Sequence, residues 1–329
     1  MKKVFYFVTI IVCIFIIVFF RINQKPQVVT KNLFYMDTYI NIKIYTNKRN
    51  IDNVFSEIEK TYQEYHQLTD RYNSYDDLIN IYYINNNVSE ELNLTLDERL
   101  YKIIKYSLEW KEKSKGLFNI ELGNVIDCWK KQIELGLGIP SQSELDKAYK
   151  SIKEVELLDN NQIVNNHPNL DLGGIAKGYV TDIVGQYLTL QGYHKYIINA
   201  GGHVLVGERA KNDKYKIGIK NPVNDEILTV VKGEKISVAT SGGSERFYEY
   251  KGKRYNHIIN PNTLYPGDYM LSVSVISNDS KLNDILTTTL FLMSVEEGLE
   301  MIDNMDGVEA IWVTNDQQII KSKGFNNYE

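Results

Sequence analysis

The segment Asp171-Leu-Gly-Gly-Ile-Ala-Lys-Gly178 holds the ingredients of an anion site. An apolar strand end runs into two glycines, and a lysine follows one turn into an expected helix. Glycine lets the backbone approach a ligand without a Cβ in the way. The first amides of a helix lack internal partners and carry partial positive charge. Lys177 adds a full charge. The pattern points to a phosphate or pyrophosphate ligand and does not choose between them.

Asp284-Ile-Leu-Thr-Thr288 opens an apolar helix, with Ser280 as its expected N-cap. Asp284 and Thr288 are four residues apart and share a face. A carboxylate beside a hydroxyl offers the hard oxygens that Mg²⁺ takes. A helix with a polar first turn would look the same. Mg²⁺ usually completes its shell with phosphate oxygens, so the anion loop in the same chain favours the metal reading.

Two further segments could take part. In Val238-Ala-Thr-Ser-Gly-Gly243 the stretch 240–243 reads as a turn presenting hydroxyls and amides, and Arg254-Tyr-Asn-His257-Ile-Ile-Asn-Pro261 follows it. A histidine beside two isoleucines is ordinarily structural, yet its pKa near 6.5 suits a base at neutral pH. Asn199-Ala-Gly-Gly202 reads as a strand end leading into a tight glycine turn. Other chemistries are excluded. Lys177 is too close to Gly174 for a Walker A loop, and no Ser or Thr follows it. There is no dinucleotide-binding glycine fingerprint, no nucleophile elbow and no zinc spacing among five histidines and two cysteines.

These residues need a scaffold. Asn32 to Thr46 alternates like a strand, and Val54, Ile58, Tyr62, Tyr65 and Leu68 fall on one helix face. Thr95 with Glu98, and Ser141 with Glu144, read as capping boxes. A helix is expected from the glycine loop to about Leu190, then a strand at 196–199. Short strands follow at 214–219, 227–231, 236–240 and 271–277. Helices near 281–293 and 295–303 precede a hairpin at 308–314 and 318–322. Hairpin-linked strands mixed with helices give an α+β fold with mixed or antiparallel sheets.

The N-terminus differs from the rest. After two lysines, Val4 to Phe20 runs seventeen residues without a charge, and Arg21 closes it. The run is near the lower limit for a membrane span and long for a cleaved leader. We therefore expect an uncleaved anchor at 1–21, a linker at 22–31 and one domain at 32–329. Cys13 lies in the run without the small preceding residue of a lipoprotein site, and Cys128 is expected to behave as a small hydrophobe. A net charge of −5 without a basic stripe argues against nucleic-acid binding.

In this order the segments resemble the ApbE family of FAD:protein FMN transferases, over residues 33 to 322. Met36-Asp37-Thr38 is similar to the family's Met-Gly-Thr. Tyr72 matches the aromatic of its Ser-Thr-Tyr-type loop. Gly116-Leu-Phe-Asn-Ile-Glu121 matches Gly-x-Phe-Asp-Pro-Thr, with Trp129 downstream. Residues 171–178 match the signature throughout. Asn199 to Gly202, Ala239 to Gly242, His257 to Ile259 and the Asp284/Thr288 pair complete it.

The resemblance implies a single ApbE-like domain that binds FAD and Mg²⁺. It implies transfer of FMN to a threonine or serine of an acceptor protein, with release of AMP. It assigns flavin contacts to Met36, Tyr72, Phe118, Asn119, Ile120, Asp171, Lys177 and Ile258. It assigns metal ligands to the Gly174 carbonyl, Asp284 and Thr288. Lys177 and Mg²⁺ would neutralise the pyrophosphate, and His257 is the candidate base or positioning group. The chain departs from the pattern at Asp37, Asn119, Glu121, His203 and Asn260, which puts flavin affinity and acceptor choice in question. Two alternatives stay open: a Mg²⁺-dependent FAD pyrophosphatase giving FMN and AMP, and a non-catalytic surface flavin-binding protein. The resemblance also favours a membrane-anchored enzyme with an extracytoplasmic body.

Overall fold

Alternating isoleucines start the main sheet: Ile40, Ile42 and Ile44 are fully buried along Thr38–Thr46, while Tyr39 and Lys43 face out. The computed structural model describes residues 26–48, 51–87, 92–209, 213–224, 226–243 and 246–329. The expected anchor at 1–21 lies outside them. No helix among the described residues is long and apolar enough to cross a membrane.

Eight antiparallel strands form the sheet, in the order Gln27–Tyr35, Thr38–Thr46, Tyr196–Ala200, His203–Val206, Ile236–Gly242, Met270–Ser277, Glu309–Thr314, Ile319–Lys321. Its middle is covered on both faces. Val273 and Val275 join the large core, which includes the helices Ala176–Leu190 and Ser280–Phe291. Ile276, Val238 and Val206 join a second core formed with the hairpin of Tyr215–Lys220 and Ile227–Gly233. A strand buried on both faces loses the apolar–polar alternation of a half-buried one. A third cluster joins the helices Gly123–Glu134 and Gln142–Lys150 to the 258–265 segment. There the Trp129 indole donates to the Leu264 carbonyl at 2.9 Å. The α+β class expected from the sequence is the one observed.

Several local expectations change. Residues 27–31, read as linker, begin the first strand, and 32–46 is a hairpin rather than one strand. Its turn, Met36–Asp37, holds both residues left-handed at φ 53° and 55°. Such conformations cost about 1–2 kcal/mol each outside glycine, which explains why a glycine suits this position. Thr95 does not cap a helix. It ends the short strand Asn93–Thr95, and Asp97 caps Glu98–Lys113 through the Arg99 amide at 2.8 Å. The Ser141–Glu144 capping box forms. Residues 240–242 are not a turn but the end of the strand Ile236–Gly242, where Thr240 Oγ1 and Ser274 Oγ share a hydrogen bond at 2.7 Å. Asp279, not Ser280, caps the 280–291 helix, accepting from the Leu282 amide at 3.0 Å.

Candidate active site

The first turn of the helix Ala176–Leu190 meets the second turn of the helix Ser280–Phe291 at Asp284. Its Oδ2 accepts the Gly178 amide at 2.9 Å, and its Oδ1 lies 3.8 Å from Lys177 Nζ and 3.9 Å from His203 Nδ1. Only a glycine permits this contact. A Cβ on Gly178 would stand 2.5 Å from the Ser280 carbonyl and 2.7 Å from the Asp284 Cβ. Burial alone would raise the Asp284 pKa. Lys177, His203 and the Gly178 amide more than offset it and hold the carboxyl well below the usual range. Asp284 is therefore a buried anion at neutral pH.

Thr288 follows one turn later, its hydroxyl donating weakly to the Asp284 carbonyl at 3.4 Å. Gly174 packs beside it: a Cβ there would lie 3.3 Å from Thr288 Oγ1 and 3.1 Å from the Phe118 ring. Lys177 Nζ also reaches the Gly173 carbonyl at 3.2 Å. The glycine loop, the lysine and the Asp284/Thr288 pair thus converge as the sequence implied.

Asp171 is held at the other end of the loop. Its Oδ1 accepts the Gly173 amide at 2.8 Å, and its Oδ2 accepts Arg71 Nη1 at 2.7 Å. The almost fully buried Arg71 also donates to Asp127 at 2.9 Å and Asn169 at 3.0 Å. Arg71 was not singled out from the sequence, although it adjoins Tyr72. The loop carrying both is tied by Asp70, which accepts the amides of Tyr72 and Asn73 at 2.7 and 3.1 Å and the Tyr75 hydroxyl at 2.9 Å. Tyr72 itself is exposed, with Lys130 Nζ 3.9 Å from its ring centroid.

His257 is exposed and near enough to Lys177 and Asp171 to feel both charges. Its ring keeps an accessible edge, and Nδ1 lies 3.3 Å from the Arg246 carbonyl. Loss of water around the ring pushes its pKa below the ordinary histidine value. Lys177 and Arg246 push the same way, against the Arg246 carbonyl and Asp171. Arg246 also bridges to Asp37, 2.9 Å from its carboxylate. Met36, in the same turn as Asp37, is half-buried, its amide 3.4 Å from His66 Nδ1. The Gly201–Gly202 turn supports it from below, because Thr38 Oγ1 occupies the space that a Gly201 Cβ would need, 2.1 Å away.

Four of the expected flavin contacts, Phe118, Asn119, Ile120 and Ile258, have partners within the chain. The Ile120 carbonyl accepts the Asp171 amide at 2.8 Å, and its side chain is core. Asn119 Oδ1 is occupied by the Glu121 amide at 2.9 Å. Ile258 is buried, its amide bonded to Asn256 Oδ1 at 2.9 Å. Phe118 is buried against Gly174.

The donor set fits a small divalent cation. A buried carboxylate, a hydroxyl and the adjoining Gly174 backbone are hard oxygen donors, and Mg²⁺ is commonly held by one or two carboxylates plus substrate phosphates. Among the described residues there is no cluster of three or more His, Cys, Asp or Glu for a metal. An all-protein cage of that kind is therefore not what this site offers.

The α+β scaffold thus brings a glycine loop and a lysine onto an acid–hydroxyl pair. This chain belongs to the ApbE family, whose model matches residues 36–312. It is similar to a FAD:protein FMN transferase of Klebsiella pneumoniae (strain 342), 34% identical over 240 residues, covering 70% of this chain and 73% of the relative. A FAD:protein FMN transferase of Treponema pallidum (strain Nichols) is 28% identical over 253 residues, covering 70% of each chain. The structure of the ApbE protein of Thermotoga maritima superposes with a TM-score of 0.83 at 27% identity, covering 92% of this chain and 99% of that one. The flavin transferase ApbE of Vibrio cholerae shares the fold, with a TM-score of 0.78 at 22% identity over 92% of this chain and 100% of that one.

Proposed function

We propose that this chain transfers FMN from FAD to a threonine or serine hydroxyl of an acceptor protein, with Mg²⁺ required and AMP released. The observation that carries the reading is the meeting of Lys177 and Thr288 at the buried anion Asp284, with Gly174 against Thr288 and His257 within reach of the Lys177 charge. The transferase relatives support it.

The acceptor oxygen attacks the phosphorus on the FMN side of the pyrophosphate. A new P–O bond forms, the bond from that phosphorus to the bridging oxygen breaks, and AMP leaves with the bridging oxygen. Lys177 is placed to bind the pyrophosphate and stabilise the charge that builds on it. Mg²⁺ held by Asp284, Thr288 and the Gly174 carbonyl would supply Lewis-acid neutralisation of the same anion. The lowered pKa of His257 leaves it unprotonated at neutral pH, ready to take the hydroxyl proton. Asp171, fixed by Arg71, holds the glycine loop in shape, while Tyr72 and Met36 flank the cleft on the flavin side. The apolar run at 4–20 would hold the enzyme at a membrane with its body on the extracytoplasmic side.

The test incubates the full chain with FAD, Mg²⁺ and an acceptor domain, and reads in-gel flavin fluorescence. Labelled acceptor with stoichiometric AMP is the expected result. AMP without label would instead make the protein a pyrophosphatase. Asp284→Ala should abolish Mg²⁺-dependent transfer, and normal turnover by that variant would remove the metal assignment.

A further inference from the structure

His203 is the one histidine beside Asp284, and it is almost fully buried, 3% exposed. Its Nε2 meets the Ser280 hydroxyl at 2.7 Å and the Ser237 hydroxyl at 3.2 Å. Its Nδ1 is buried without a hydrogen-bond partner and lies 3.9 Å from Asp284 Oδ1. An orphaned buried ring nitrogen is costly and calls for an explanation.

We propose that His203 is a positioning residue that orients the Asp284 carboxylate for a divalent cation. Two serine hydroxyls at Nε2 leave the tautomer free, because each can donate as well as accept. The carboxylate decides it. A bare Nδ1 would point a lone pair at an anion, whereas Nδ1–H points a donor at it. In the neutral ring this places the proton on Nδ1, with Nε2 accepting from serine. At 3.9 Å the contact is longer than a hydrogen bond and acts through charge and dipole. With the Gly178 amide on Oδ2 and His203 on Oδ1, both oxygens are turned into one fixed plane. Partners of this kind behind a metal ligand set its orientation, and removing them commonly weakens the metal about 10–100-fold. This also gives Ser280 its purpose. Asp279 caps the helix, so the Ser280 hydroxyl is released to hold the imidazole.

The inference rests on the metal assignment proposed above, and two amide variants test it. In His203→Asn the side-chain amide can stand where Nδ1 stood; in His203→Gln it can stand where Nε2 stood. Mn²⁺ is titrated into the full chain with FAD present and followed by electron paramagnetic resonance, and thermal midpoints are recorded alongside. His203→Gln should weaken Mn²⁺ about 10–100-fold, and His203→Asn should bind nearly as wild type. If the two variants lose affinity equally, or His203→Gln loses none while Asp284→Ala does, the positioning role is wrong and the proposed function stands. If wild type binds no Mn²⁺, the metal assignment and the inference fall together. A second readout needs no metal. In ¹⁵N-histidine NMR the resonance pair lost in His203→Asn should show a protonated Nδ1, and an unprotonated Nδ1 overturns the proposal.

Discussion

A general base works only while it is unprotonated, and His257 is tuned in that direction. Dehydration of the ring and the charges of Lys177 and Arg246 lower its pKa from the ordinary value of 6.5. The rate of transfer should therefore hold through neutral pH and fall only on acidification below that value. His257→Gln should cost about 10²–10⁴-fold in kcat and erase the acidic limb. A pH–rate profile of that variant keeping both limb and rate would remove His257 from proton transfer. The glycine turn with Lys177 and the i, i+4 pair of Asp284 and Thr288 stand out in the sequence because each pattern is local; that Lys177 meets Asp284 was implied only by the family resemblance. Arg71 and His203 do not stand out, because their partners lie far along the chain. Arg71 meets Asp171 a hundred residues on, and nothing in the spacing of either announces the other. Asp37, noted only as a departure from a glycine pattern, pairs with Arg246 across the cleft.

Between elements, the decisive contact is the one between the helices Ala176–Leu190 and Ser280–Phe291. Gly178 lets them close until its amide reaches Asp284. Gly178→Ala would set its Cβ 2.5 Å from the Ser280 carbonyl and 3.0 Å from the His203 ring. The first obstacle is backbone, so the helices must part rather than a side chain swing. Overpacking of this kind costs about 1–3 kcal/mol. The Gly178 to Asp284 hydrogen bond should lengthen, and Mg²⁺-dependent transfer should fall more than stability does. Denaturant midpoints and transfer rates on the same preparation check this; a variant with wild-type rate would show that the close approach is not needed. The sequence located this helix pair but misjudged its edges. Asp279 and Ser280 both suit an N-cap, and only the placement of His203 shows why the aspartate caps. Thr, Ser and Gly are turn-formers and make 240–243 look like a turn, yet pairing with the 270–277 strand keeps 240–242 extended, with Gly242 opposite Ser272.

At the scale of the whole molecule, we expect the folded body to stand without the apolar run at 4–20. The first described element is the strand Gln27–Tyr35, and its inward residues Val29 and Leu33 already belong to the main core. Residues 27–31 were assigned to a linker because Gln, Thr and Lys mask a strand whose inner positions are apolar only at every second or third place. A chain beginning at Pro26 keeps that strand whole, so its thermal midpoint should match the full chain. Its location should not: it should leave the membrane fraction. A tether acts by raising effective concentration toward partners in the same membrane, without any new contact. The shortened chain should therefore flavinylate a soluble acceptor domain at the full rate and a membrane-embedded acceptor more slowly. Equal slowing on both would mean that residues 1–25 serve catalysis or folding rather than location. Retention of the shortened chain in the membrane fraction would mean that the body itself binds there.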